Sequence, residues 1–129
     1  MLVLDSSAAV AALVGDPPNA PLVERLEAQA ELHAPHLIDL EFASALRRLV
    51  HRGELDLRRA EAARDDYRDL PIVRYPHLGL LDRVWALREN VSAYDAAFIA
   101  LSEALGAPLV TVDARLAASR GHGAVVEPF

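Results

Sequence analysis

The stretch Leu109-Val110-Thr111-Val112-Asp113 repeats, late in the chain, what Leu2-Val3-Leu4-Asp5 does at its start. In each, a short run of apolar and β-branched residues leads to an aspartate, and a segment of small residues with helical character follows. Runs this short and this apolar suit strands buried on both faces, as in a parallel sheet covered by helices. The order strand, acid, helix also puts a carboxylate at the carboxyl end of each strand. In open α/β sheets that end is where ligands bind, near a reversal in strand order.

Working outward from these two segments, the same alternation fills the chain. A helix over Ser6–Val14 breaks at Gly15-Asp16-Pro17-Pro18, and a second covers about Pro21–Ala30 with Pro21 in its first turn. Glu31–Ala34 reads as a short strand stopped by Pro35. Helices follow over about His36–Arg52, ended by Gly53, and Leu57–Asp69. Pro71 introduces a strand at Ile72–Tyr75, and a helix covers about Leu78–Arg88. Ser92 suits the N-cap of a helix over Ala93–Leu105, which Gly106 stops. Pro108–Thr111, Asp113–Ser119 and Ala124–Val126 then read as strand, helix and strand. The expectation is an α/β fold: one domain over residues 1–129, with a central parallel sheet of about five short strands and helices on both faces.

Composition narrows the chemistry. At 129 residues and 53% apolar the chain suits one globular domain with a real core and excludes disorder. All 13 basic residues are arginine, against 19 acids, for a net charge of −6. That balance argues against coating nucleic acid or anionic membranes through bulk charge. The absence of lysine removes Schiff bases, P-loops and Ser-Lys dyads. The absence of cysteine removes disulfides, thiolate nucleophiles and cysteine zinc sites. A carboxylate already at position 5 argues against a signal peptide, and no stretch reaches the roughly 20 apolar residues of a membrane span. The expected compartment is the cytoplasm.

Four acids stand out. Asp5 and Asp113 each have a simple alternative reading as the cap of the following helix. Asp95 follows Ser92 in a Ser-x-x-Asp capping pattern, yet it shares a helix face with Phe98, Ile99 and Ser102, where no arginine of that helix can neutralise it. Glu41 borders the apolar stripe Ile38, Phe42, Ala45, Leu46 and Leu49, and alone it reads as a surface partner of Arg48. Asp39, on the opposite flank, reads as a surface residue. Together, the four acids can converge on one cleft at the carboxyl edge of the sheet. Their mutual repulsion there calls for a hard divalent cation, Mg²⁺ or Mn²⁺, which would activate water for attack on a phosphodiester.

At this point Leu-Val-Leu-Asp5-Ser6, Leu-Glu41-Phe-Ala, Ser92-Ala-Tyr94-Asp95-Ala-Ala-Phe-Ile-Ala-Leu and Leu-Val-Thr111-Val-Asp113 carry a resemblance. Over its whole length the chain resembles PIN domains, and among them VapC-type toxins of bacterial toxin–antitoxin pairs. The resemblance implies an endoribonuclease that hydrolyses RNA with metal-activated water, using one or two Mg²⁺ or Mn²⁺ ions. Asp5, Glu41, Asp95 and Asp113 match the family's catalytic and metal-binding quartet. Ser6 and Thr111 match small hydroxyl positions that orient its carboxylates. It further implies a homodimer, a cognate VapB-type antitoxin laid across the acidic cleft, and contact with DNA only through that antitoxin.

Arg47, Arg48 and Arg52 share the Glu41 helix, with Arg48 the candidate RNA contact. The simpler reading is a solvated surface near Asp39 and Glu54. The five histidines lack metal-ligand spacing and read as structural or surface residues, and Trp85 reads as core or packing surface. A receiver domain would need a lysine near its last strand. A haloacid-dehalogenase-like phosphatase would need a second acid where Ser6-Ser7 follow Asp5. The remaining rival is a catalytically silent PIN-like module that binds RNA or a partner, to be told apart by whether defined RNAs are cut.

Overall fold

A computed structural model describes residues 1–129. Five strands, β1 (Val3–Leu4), β2 (Leu32–Pro35), β3 (Ile72–Tyr75), β4 (Leu109–Thr111) and β5 (Val126–Pro128), form one parallel sheet in the order β3-β2-β1-β4-β5. Seven helices connect them: α1 (Ser6–Val14), α2 (Ala20–Glu27), α3 (Leu37–His51), α4 (Leu57–Asp69), α5 (Leu81–Ala86), α6 (Ala93–Leu105) and α7 (Ala114–Ala117). A 3₁₀ turn at Leu78–Leu80 leads into α5.

The strand order explains the layering. The chain first moves outward from β1 through β2 to β3, then crosses back to add β4 and β5 on the other side of β1. Because parallel crossovers are right-handed, the reversal sends the later helices to the opposite face. Accordingly α1 packs on α2, α3 and α4, whereas α5 packs on α6, which lies against β1, β2 and β4. The order reverses between the neighbours β1 and β4, whose registers pair Val3 with Leu109 and Leu4 with Val110.

The central strands contribute Leu2, Val3, Leu4, Leu109 and Val110 to the core, all wholly buried. Helix α6 is buried continuously from Ala96 to Ser102, so it behaves as an interior helix with little polar face. Its ends follow local chemistry. Ser92 Oγ accepts from the Asp95 amide at 3.2 Å, and Gly106 adopts the left-handed conformation at φ 62°.

Several boundaries differ from the sequence expectation. The second helix ends at Glu27, and the last strand lies at Val126–Pro128, two residues later than Ala124–Val126. The segment expected as a helix over Leu78–Arg88 opens as the 3₁₀ turn and is α-helical only to Ala86. Its buried side chains are Val84 and Leu87, while Trp85 is 69% exposed, so Trp85 is not a core residue. The Arg88 guanidinium lies over its ring, 4.9 Å from the centroid.

Candidate active site

An open groove of about 880 Å³ runs along the carboxyl edge of β1 and β4 and continues between α1 and α3. Asp5, Glu41, Asp95 and Asp113 all line it. They arrive from four elements: the end of β1, the second turn of α3, the first turn of α6 and the residue ahead of α7. All four thus lie at the switch in strand order, where the sheet leaves a crevice between its two helical layers.

The four acids are held differently. Asp5 precedes α1 but makes no side-chain cap, which removes the capping reading for this residue. It is 4% exposed, and its Oδ2 accepts from Thr111 Oγ1 at 2.8 Å and from Ser7 Oγ at 2.5 Å. Each hydroxyl has one proton, and both are given to Asp5. The 3.1 Å approach of Ser7 Oγ to Thr111 Oγ1 therefore carries no hydrogen. Backbone amides complete the pair: Val112 N donates to Ser7 Oγ and Asp113 N to Thr111 Oγ1. Asp113, in contrast, does cap α7, its Oδ1 accepting from the Arg115 and Leu116 amides at 2.8 and 3.4 Å. It combines the cap with a place on the groove.

Glu41 and Asp95 carry the electrostatic signature. Partial burial, then the charges of Asp5 and Asp95, push the Glu41 carboxyl up to about 7, against weaker opposition from Ser6 and Arg48. Burial, then Asp5 and Asp113, also raise Asp95. Arg115 opposes that shift without reversing it. Burial is the larger cause of both shifts, and the neighbouring carboxylates add to it more than the arginines take away.

Two details of the sequence reading change. Ser6, expected to orient one of the four carboxylates, donates its Oγ proton to Glu41 Oε1 at 3.5 Å, and Ser7, which the sequence reading passed over, holds Asp5. The signal for Ser7 is its position two residues past the aspartate, where a hydroxyl in the first helical turn can fold back on it. Asp39 is not a free surface residue, because Arg74 Nε reaches both its oxygens at 2.9 Å and Tyr67 Oη donates to Oδ1 at 2.7 Å. Arg48, on the other side of the helix, makes no ion pair and donates to Ser44 Oγ at 3.1 Å.

Residues 2–121 match the family described as PIN domain. The chain belongs to the PIN-domain family. Within it, the chain is 47% identical over 116 residues to VapC ribonuclease Mb0985 of Mycobacterium bovis, covering 90% of this chain and 88% of the relative. It is 43% identical over 120 residues to Ribonuclease VapC1 of Mycobacterium tuberculosis, covering 92% and 90%. Among solved structures, PAE2754 from Pyrobaculum aerophilum superposes with a TM-score of 0.66 at 25% identity, covering 97% of this chain and 87% of that one. The sheet and its helical layers in this PIN domain are those the sequence led us to expect.

The groove offers a divalent ion the carboxylate oxygens of Asp5, Glu41, Asp95 and Asp113. All are oxygens, the ligands that hard cations prefer. Asp5 Oδ1 takes no protein hydrogen bond, and it is not among the enclosed unpartnered atoms. It is therefore open to the groove while Oδ2 is anchored. No three acidic or imidazole side chains form a ready-made cage. Mg²⁺ is commonly held by one or two carboxylates and completes its shell with water and substrate phosphate. The donor set fits.

Proposed function

We propose that this PIN domain is a metal-dependent endoribonuclease, the toxic component of a VapBC-type toxin–antitoxin pair. The observation that carries this reading is the convergence of Asp5, Glu41, Asp95 and Asp113 on one groove with uncompensated negative charge. Relatives named VapC ribonuclease support RNA as the substrate and a VapB-type antitoxin as the partner. The same kinship supports a homodimer that meets DNA only through the antitoxin. No helix is long and apolar enough to cross a membrane, and the proposed place of action is the cytoplasm.

Asp5 and Asp95 are the proposed principal ligands of Mg²⁺ or Mn²⁺, with Glu41 and Asp113 completing the acidic set. When bound, such an ion supplies Lewis-acid stabilisation of the phosphoryl oxygens and activates water. The remaining tasks belong to the chain. Ser7 and Thr111 fix the rotamer of Asp5 by anchoring Oδ2 and leave Oδ1 directed at the groove. Asp113 is held by the α7 amides, so its second oxygen is constrained without a separate support. Glu41, pushed up to about 7, is shared between its protonated and charged forms near neutral pH, and its deprotonated oxygens can align a water by hydrogen bonding. Such preorganisation spares the site from rearranging dipoles as charge develops on the phosphate.

The test is cleavage of defined RNAs with Mg²⁺ or Mn²⁺, comparing the parent with Asp5→Ala and Asp95→Ala. Each substitution should abolish measurable cleavage, as should EDTA. Cutting that survives both substitutions, or EDTA, would overturn the proposal. RNA bound but never cut would favour a silent binding module.

A further inference from the structure

We propose that one stripe of α3, carrying Glu41, Arg48 and Arg52, follows the backbone of single-stranded RNA and holds its phosphates on the side leading away from the acidic end of the groove. This rests on reading that acidic end as the cleavage site.

Helix geometry sets the stripe. At roughly 100° per residue, positions 41, 48 and 52 fall within about 40° of one another. All three line the groove, whereas their neighbour Arg47 does not. At about 1.5 Å rise per residue, Arg48 lies about 10 Å and Arg52 about 16 Å along the axis from Glu41. A stacked strand advances about 3.4 Å per phosphate, so these positions fall about three and five phosphates from the acidic end, fewer for a stretched strand. The stripe thus presents negative charge at one end, where a cation is needed to receive phosphate, and positive charge further along.

Both guanidinium groups are free to bind. The seven ion pairs of the chain all use other arginines. Arg48 makes a single side-chain contact, to Ser44 Oγ, which leaves most of its five donors open. Exposed guanidinium groups without acidic partners, set along a groove, suit phosphate, which they grip through two parallel N–H donors. In a chain of net charge −6 this placement gives RNA a local foothold that overall composition denies.

The experiment measures binding of a fluorescently labelled short single-stranded RNA by anisotropy, between about 50 and 200 mM salt. It uses the full chain in an Asp95→Asn background, so that RNA integrity can be read on a gel from the same samples. Arg48→Ala and Arg52→Ala should each weaken binding and flatten the slope of log affinity against log salt by about 0.7, and the double variant by about 1.4. Arg47→Ala should leave affinity and slope at the parent values. Arg48→Lys should keep the slope, because the charge remains, while losing part of the affinity. Circular dichroism on heating checks that each variant is folded. A folded double variant with the parent's slope overturns the proposal. An unchanged RNA slope with lost binding of a co-expressed antitoxin also overturns it, assigning the stripe to protein. RNA cut by the Asp95→Asn background would instead sink the cleavage-site reading, and the slopes would still judge the stripe.

Discussion

Ser7 shows how much one hydroxyl can decide. It joins the end of β1 to the end of β4 by giving its proton to Asp5 and accepting from the Val112 amide. Ser7→Ala leaves that amide without its acceptor and Asp5 with one anchor. The expected cost is about 1–2 kcal/mol of stability in urea titration, with a fall in kcat that Ser6→Ala does not match. Glu41 supplies a second prediction, for the metal-free protein. Its folded value of about 7 lies above its ordinary 4.5, so the folded state holds the extra proton between those limits. Its contribution to stability is therefore present at low pH and lost as pH rises from about 4.5 to about 7. Glu41→Gln should flatten that slope and be the more stable protein at pH 8, by on the order of 1 kcal/mol once solvent screening is allowed for. Thermal unfolding in EDTA across pH measures it. The sequence made all four acids visible as candidates. It passed over Ser7, because adjacent helical residues differ by about 100° and only packing decides which one faces the strand end.

Among the elements, α3 shows the limit of pattern reading most clearly. Its apolar stripe predicts a buried face, and Ile38, Phe42 and Leu46 are buried there. Periodicity does not show what clamps its flank. Phe42 stacks on Tyr67 of α4 at 4.0 Å between centroids, and Tyr67 and Arg74 of β3 both bond Asp39. Asp39 and Arg74 are 35 residues apart, so nothing local announces the pair. This clamp fixes the rotation of α3, and with it the side on which Glu41 and Arg48 face the groove. Asp39→Ala should cost about 1–2 kcal/mol and Tyr67→Phe about 1, both read by urea unfolding. Helix α6 is the opposite case. Its cap, its length and its stop were all legible because Ser92 and Gly106 act through local backbone geometry. Ser92→Ala should cost about 1 kcal/mol and loosen the turn that carries Asp95.

For the molecule as a whole, the strand order creates the groove. Reversal between β1 and β4 parts the helical layers where two strands each end in an aspartate. A divalent ion that binds only the folded chain must raise its unfolding midpoint by mass action. Because Glu41, pushed up to about 7, must lose its proton to meet the ion, the rise with Mg²⁺ should be larger at pH 8 than at pH 6. A midpoint insensitive to Mg²⁺ and Mn²⁺ at both pH values would count against the ligand set. Trp85 leaves only the packing-surface half of its reading standing: at 69% exposure it lies outside the core, with the Arg88 guanidinium over its ring.

The sequence by itself determined the alternation of strands and helices, the chemical exclusions and the identity of the four acids. Those follow from period, turn chemistry and residue type, which are local or additive properties. Tertiary structure alone decided that Asp5 is an anchored groove carboxylate while Asp113 is also a cap. It decided, too, that Ser7 anchors Asp5 while Ser6 meets Glu41, and that Arg74 takes Asp39. Each of these depends on side chains brought together from elements far apart in sequence, where the nearest available partner, and the water excluded around it, fix the role a residue plays.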